Sequence, residues 1–120
     1  MKIVRTDKPF IARSFSFLWW KRIYIGTKYT HLTSAQRTAV LAHEEGHCNL
    51  HHTEIRFLAL FLLPFYLKYV CHSTELAADR YAAKRGHGRG LVSLLKRTRN
   101  PESFFHPSDE TRCKILSSFA

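Results

Sequence analysis

Thr33-Ser34-Ala35-Gln36-Arg37-Thr38-Ala39-Val40-Leu41-Ala42-His43-Glu44-Glu45-Gly46-His47 is the stretch whose reading decides the fold. A threonine followed three residues later by glutamine is a capping box, which starts a helix. Ala35, Val40 and Leu41 carry that helix through the histidines to about Leu50. Side chains four residues apart stand one turn apart on the same helix face, so His43 and His47 can reach one ion. Glu44, beside the first histidine, is then positioned to take a proton from water polarised by that ion. Glu45 and Cys48 are turned about 100° from their neighbours on this face, which predicts structural and packing roles for them. Gly46 lets another segment approach the helix closely, with a strand lining the cleft as the candidate.

A catalytic zinc takes three protein ligands and keeps one position open. The third must come from a segment that packs on this helix. Ser73 or Thr74 reads as the cap of a helix from Glu75 to Arg85 that closes at Gly86. Glu75 is therefore the best third ligand, and Asp79 follows one turn later on the same face. There Asp79 can accept a hydrogen bond from a ligating imidazole and fix its tautomer. Glu54 is the rival, but it follows His47 too closely for the chain to turn back. Zn2+ suits a His, His, Glu set with an open position better than iron or copper. His51 and His52 read as a solvated helix end, with a second metal as the alternative. Tyr81 reads as a core residue that is also near enough to Glu75 to assist.

Working outward, residues 1–13 read as a basic, weakly structured lead-in, and 14–120 as a single domain. Phe15, Phe17 and Trp19 alternate with Ser14, Ser16 and Leu18, which suits a strand. Arg22 to Gly26 suits a second one. Phe57 to Leu67 is an apolar run of eleven residues containing Pro64 and flanked by Arg56 and Lys68. A bilayer span needs roughly 20 residues. The run is thus predicted to be a buried helix kinked at the proline, with an interfacial hairpin contacting lipid as the alternative. Gly88 and Gly90 break the chain before a helix from about Leu91 to Arg97. Asn100-Pro101 marks a loop. His106-Pro107-Ser108 opens a last helix, with Asp109 and Glu110 in its first turn. The expected class is α+β: mostly helical, with a small short-stranded sheet beside the metal-binding helix.

With 120 residues and 45% hydrophobic content the chain can build a core, which excludes a disordered tail. Nineteen Lys and Arg against nine Asp and Glu give a net charge of +10. Four of those acids, Glu44, Glu45, Glu75 and Asp79, belong to the candidate site, so the remaining surface is still more basic and favours acidic partners. Three cysteines without paired spacing argue for a reducing, cytoplasmic setting. Met1 to Phe10 lacks the apolar core of a signal peptide. Lys84, Arg85, Arg89, Lys96, Arg97 and Arg99 form a basic cluster that would suit a nucleic-acid-binding module with a structural zinc. A structural zinc, however, is closed by four ligands rich in cysteine, and Glu44 would then have no role.

Leu41-Ala42-His43-Glu44-Glu45-Gly46-His47, then Glu75-Leu76-Ala77-Ala78-Asp79, then His106-Pro107 followed by Arg112, resemble in order and spacing the gluzincin peptidases of the HtpX and CAAX-prenyl-protease group. The small minigluzincins are the most similar in size. The resemblance spans residues 22–119. It implies a minimal zincin-type metallopeptidase with zinc on His43, His47 and Glu75, and Glu44 as the base. The substrate would be an extended peptide or unfolded protein pairing with a strand, Arg22 to Gly26, on the cleft's upper rim. It also implies that the aromatic segment Phe15 to Trp20 can fold over the cleft and keep the enzyme latent. His106 and Arg112 would stand near the cleft as stabilisers of a developing oxyanion. Two plainer roles stay open: His106 as the residue before the last helix, and Arg112 as the partner of Asp79 or Glu75. The chain is expected to act as a monomer.

Overall fold

The structure is a computed structural model that describes residues 1–119. The capping box forms as the sequence predicts: the Gln36 amide donates to Thr33 Oγ1, and the Thr33 amide donates to Gln36 Oε1. It starts α1 (Ser34–Asn49), on which a sheet and three further helices pack. These are α2 (His52–Leu62), α3 (Leu67–Lys84) and α4 (Gly88–Thr98), with α5 (Asp109–Ser117) against α3 and α4. The fold is mostly helical α+β, with one small mixed sheet.

The sheet comprises β1 (Lys2–Arg5), β2 (Ala12–Phe17) and β3 (Trp20–Ile25) in the order β1-β3-β2. β1 runs parallel to β3, with Lys2 opposite Arg22. β2 runs antiparallel to it, with Phe17 opposite Trp20. Residues 1–13 are therefore not a loose lead-in: they supply an edge strand, and the Thr6 amide extends the pairing to the Ile25 carbonyl. Trp19 is not in a strand either. It shares the β2–β3 turn with Leu18, whose φ of 56° is in the left-handed region. The alternation of β2 puts its small residues inward. Ser16 is fully buried, donating its hydroxyl to Glu54 and its amide to Thr53 Oγ1, whereas Phe15 and Phe17 face out. Cys48 is packed beneath this strand, close to the Phe15 and Arg22 carbonyls, in agreement with its packing role.

One core cluster joins α1, α3, α4 and α5 through Ala39, Ala42, Ala82, Leu91, Leu95 and Leu116. A second joins the sheet to α1 and α4 through Ile25, Tyr29, Leu32, Val40 and Leu94. The alanines mark close helix approach. At Gly90 a Cβ would fall 2.6 Å from the Ala35 carbonyl oxygen, so glycine is what lets α4 lie against α1. Gly88 and Gly90 thus belong to the helix that they were expected to precede.

The largest departures lie between residues 57 and 75. The apolar run is not a buried kinked helix. α2 stops at Leu62, Pro64–Tyr66 form a 3-10 turn, and α3 starts at Leu67. Of the run, Ala59 alone is buried. α3 also begins well before the cap expected at Ser73 or Thr74, because the turn after Pro64 starts it instead. Thr74, now inside the helix, donates back to the Cys71 carbonyl. No helix among the described residues is long and apolar enough to cross a membrane.

Candidate metal centre

α1 and α3 pack against each other along the faces that carry His43 and His47 on one side and Glu75 and Asp79 on the other. Gly46 makes that approach possible. A Cβ there would sit 2.9 Å from the Tyr81 ring, so the close neighbour is α3 rather than the strand expected from the sequence. The Tyr81 hydroxyl donates to Glu45 and accepts from Asn49, which gives both Tyr81 and Glu45 structural roles.

His43 Nε2 and His47 Nε2 are 3.1 Å apart. Glu75 Oε1 lies 3.0 Å from the first, and Oε2 lies 3.3 Å from the second. All three residues are buried. Four ligands around a zinc at its usual bond lengths of roughly 2.0–2.1 Å stand about 3.3 Å from one another. The spacing therefore fits one cation shared by these three donors, and the buried His43, His47 and Glu75 group can hold a metal ion.

The far side of each imidazole is also engaged. His43 Nδ1 is 2.7 Å from Asp79 Oδ1, close but outside the direction of a straight ring N–H bond. Asp79 is held by Arg112, whose Nε and Nη2 donate to Oδ2 and Oδ1 at 2.8 and 2.7 Å. Arg112 Nη2 also lies 3.5 Å from Glu75. His47 Nδ1 meets Nδ1 of a third buried histidine, His52, at 2.8 Å. Nδ1 faces Asp79 on His43 and His52 on His47, so Nε2 is the nitrogen that each ring turns towards Glu75 and a shared ion.

Electrostatics follow from this enclosure. Burial alone would lower the His43 pKa, but the Glu75 and Asp79 carboxylates outweigh it and raise the metal-free value to about 10. Burial would raise Glu75, yet the His43 charge and then the imidazole contacts hold it well below the usual carboxylate range. Asp79 is lowered for the same kind of reason, with the Arg112 hydrogen bond leading against burial. His52 is pushed down to about 3 by burial and by the neighbouring His47 and Arg56, so it is neutral and can accept a hydrogen bond from His47 Nδ1.

A cavity of about 450 Å³ opens beside the ligands. Glu44 and His43 line it from α1, Leu91, Leu94 and Leu95 from α4, and His106 and Arg112 from the C-terminal segment. His106 is exposed, with Nδ1 3.6 Å from Glu75 Oε2. The structure thus brings every predicted site residue to one centre: His43, Glu44, His47, Glu75, Asp79, His106 and Arg112. Arg112 takes the plainer of its two roles, as the partner of Asp79. Glu54 is elsewhere, bonded to Ser16 and His51.

Two expectations about the cleft are corrected. The strand Arg22 to Gly26 cannot pair with a peptide through its backbone, since β3 is the central strand and both its neighbours are already present. The sheet edge at the cavity belongs to β2, which contributes Ala12, with Ile11 just before it. The aromatic segment Phe15 to Trp20 does not line this cavity. Of the basic cluster, Arg97 donates to the His31 carbonyl and Arg85 stacks on Tyr81 at 3.6 Å, so part of it serves packing.

His52, which reads in the sequence with His51 as part of a solvated helix end, is buried instead, and Arg56 reads there only as a flank of the apolar run. His52 follows His47 by five residues, which is off the face of any continuous helix. His51 adopts a left-handed conformation, φ 58°, that ends one helix and lets the next turn His52 back beneath His47. Arg56 donates to Thr74 and lies 3.4 Å from Glu75 Oε2, clamping the third ligand from α2. No periodicity signals either one. Comparison with protein-family models, with curated proteins and with solved structures returns no match.

Proposed function

We propose that this chain is a zinc-dependent endopeptidase acting on extended peptides or unfolded protein. The observation that carries the reading is the convergence of two imidazole Nε2 atoms and one carboxylate at mutual distances of 3.0–3.3 Å, with Glu44 on the wall of the adjoining cavity. A zinc ion held by His43, His47 and Glu75 would supply Lewis acidity for a carbonyl oxygen and for water. The donor set of two nitrogens and one oxygen suits zinc among the common divalent ions.

The chain's own residues account for the proton traffic. Glu44 accepts a proton from the water whose oxygen bonds to the scissile carbonyl carbon. It then gives that proton to the amine nitrogen as the carbon–nitrogen bond breaks. His106, exposed at the same cavity with Nδ1 near Glu75, is the donor for the oxygen that gains charge during this step, through its other ring nitrogen. Arg112 acts at one remove: with Nε and Nη2 donating to Asp79, it fixes the carboxylate beside His43. The β2 edge is the surface suited to pair with an extended peptide. The amide of Ser16 points away from β3, towards Thr53, and by the alternation of an antiparallel ladder those of Ala12 and Ser14 point the same way. The apolar walls of α4 exclude water next to the reacting carbonyl.

The test is hydrolysis of an unfolded protein by the zinc-loaded chain, with Glu44→Gln measured beside it. The expected result is cleavage by the wild type, at least about a hundredfold less by the variant, and one zinc per chain in both. Cleavage by Glu44→Gln at the wild-type rate would overturn the assignment of the base. Absence of cleavage by a zinc-loaded wild type would overturn the reading as a whole.

A further inference from the structure

The tip formed by the end of α2, the 3-10 turn and the start of α3 has the wrong surface for a protein facing only water. Exposure rises towards it, from 53% at Phe57 through 75% at Phe61 to 98% at Phe65, and Leu58, Leu60, Leu62, Leu63, Tyr66 and Tyr69 are exposed around it. Single exposed apolar side chains are ordinary, but a contiguous set of this kind marks an interaction surface. We propose that this tip inserts into the interface of a bilayer carrying anionic lipid, and that it holds the domain at such a surface.

Three observations select lipid as the occupant. The first is shape. Phe57, Leu58, Leu60, Phe61 and Leu62 are consecutive but for buried Ala59, so they radiate around the end of α2 and share no single face. A second protein covers one face, whereas a helix end that is apolar all round suits a medium that surrounds it. The second is the backbone. The amides of Leu63, Tyr66 and Leu67 donate to the carbonyls of Ala59, Leu63 and Pro64, and Pro64 has no amide hydrogen, so Phe65 carries the one unpaired donor between Leu63 and Leu67. A turn with a single free donor enters the interfacial layer at low cost, because a headgroup or water can accept that one hydrogen bond there. The third is charge. No acidic residue occurs between Glu54 and Glu75, Arg56 and Lys68 flank the tip, and the whole chain carries +10. Basic residues beside an apolar tip favour an anionic headgroup layer, where Tyr66 and Tyr69 can keep their hydroxyls at the polar boundary. This inference is independent of the peptidase reading, and its test uses no substrate.

The experiment is flotation of the full chain with phosphatidylcholine vesicles and with vesicles of phosphatidylcholine and phosphatidylserine. Wild type is compared with a Phe61→Ser/Phe65→Ser double variant and with Lys68→Glu, after thermal melting shows that each is folded. The expected result is binding to the serine-lipid vesicles that falls at least about tenfold in the double variant. Lys68→Glu should weaken binding to these vesicles and leave the weaker binding to neutral vesicles unchanged. Equal binding by wild type and the double variant would mean that charge alone attracts the chain, and would overturn insertion. No flotation with either vesicle would also overturn it, as would a lipid-free dimer that the double variant abolishes, since the tip would then be covered by a second copy.

Discussion

α3 carries opposite chemistries at its two ends. At its start Leu67, Tyr69 and Val70 are apolar and partly or fully exposed beside the exposed Lys68, whereas one to three turns later Glu75 and Asp79 are charged and buried. Both ends reverse the ordinary partition of side chains between core and water. They differ in what balances the reversal. The buried carboxylates are compensated within the chain by His43, His47, Arg56 and Arg112. Nothing among the described residues covers the exposed phenylalanines of the tip. A buried charge whose partners are all present belongs to a site built by the fold, while an uncovered apolar tip points to something outside it. Removing groups from the first should therefore cost metal or stability, and removing groups from the second should cost neither.

The largest expected effect separates the two regions outright. Glu75→Gln removes the carboxylate shared by both Nε2 atoms, so the variant should no longer hold one zinc per chain after dialysis, as read by metal analysis. The Phe61→Ser/Phe65→Ser variant should retain it in full. Zinc held stoichiometrically by Glu75→Gln would mean that Glu75 is not a required ligand and serves the histidines as an ion-pair partner instead. Next in size is Arg112→Met. It leaves Asp79, almost fully buried, without its bidentate partner. Breaking a buried pair in this way costs about 3–5 kcal/mol, and urea unfolding of the metal-free protein should show it. A loss below about 1 kcal/mol would show that the surrounding histidine suffices to hold Asp79, and that Arg112 is free for another role.

His52→Phe tests a subtler part of the contrast, because it keeps the volume of a buried ring and removes one acceptor. With His47 Nδ1 no longer held at 2.8 Å, the imidazole loses its preferred tautomer and orientation. Zinc affinity should fall about 10–100-fold, in a competition titration against a chelator, with little change in unfolding free energy. Unchanged affinity would mean that packing alone aims His47.

The sequence was most informative where local rules and function coincide. The capping box at Thr33 and Gln36 fixed the start of α1, and the four-residue step from His43 to His47 then fixed the face that Glu75 and Asp79 must meet. The last helix was legible for the same reason, with Ser108 capping it and Asp109 in its first turn. The rest depended on contacts between elements. β1 is strongly basic and short, and only its pairing with β3 makes it a strand. Gly90 reads as a breaker until α1 is laid against it. Burial was misassigned at Phe57–Leu67 because hydrophobicity gives the preference of a residue for leaving water, not the presence of a neighbour to cover it. His52 was hidden by the left-handed turn at His51, which shifts the helical phase by an amount that no repeat pattern encodes.

The smallest predicted effect lies on α2, between the two regions, where the helix is tied to the sheet. Glu54 accepts from the Ser16 hydroxyl at 2.5 Å and meets His51 Nδ1 at 2.7 Å. Burial would raise its pKa, but the Ser16 and His51 hydrogen bonds outweigh it, so the folded value lies below the ordinary 4.5. A carboxylate depressed on folding stabilises the protein above its unfolded pKa and loses that contribution as pH falls through the folded value. Glu54→Gln should therefore cost about 1 kcal/mol at pH 7. The gap between wild type and variant should stay constant down to about pH 5 and close below it. Other depressed carboxylates, Glu75 and Asp79 among them, titrate in both proteins and cancel in the difference. A gap that persists undiminished at acid pH would mean that the hydrogen-bonding shape of the side chain, rather than its charge, joins α2 to β2. The base of the apolar tip would then be held by a neutral contact, and the sharp division between a charged centre and an uncharged tip would run through α2 itself.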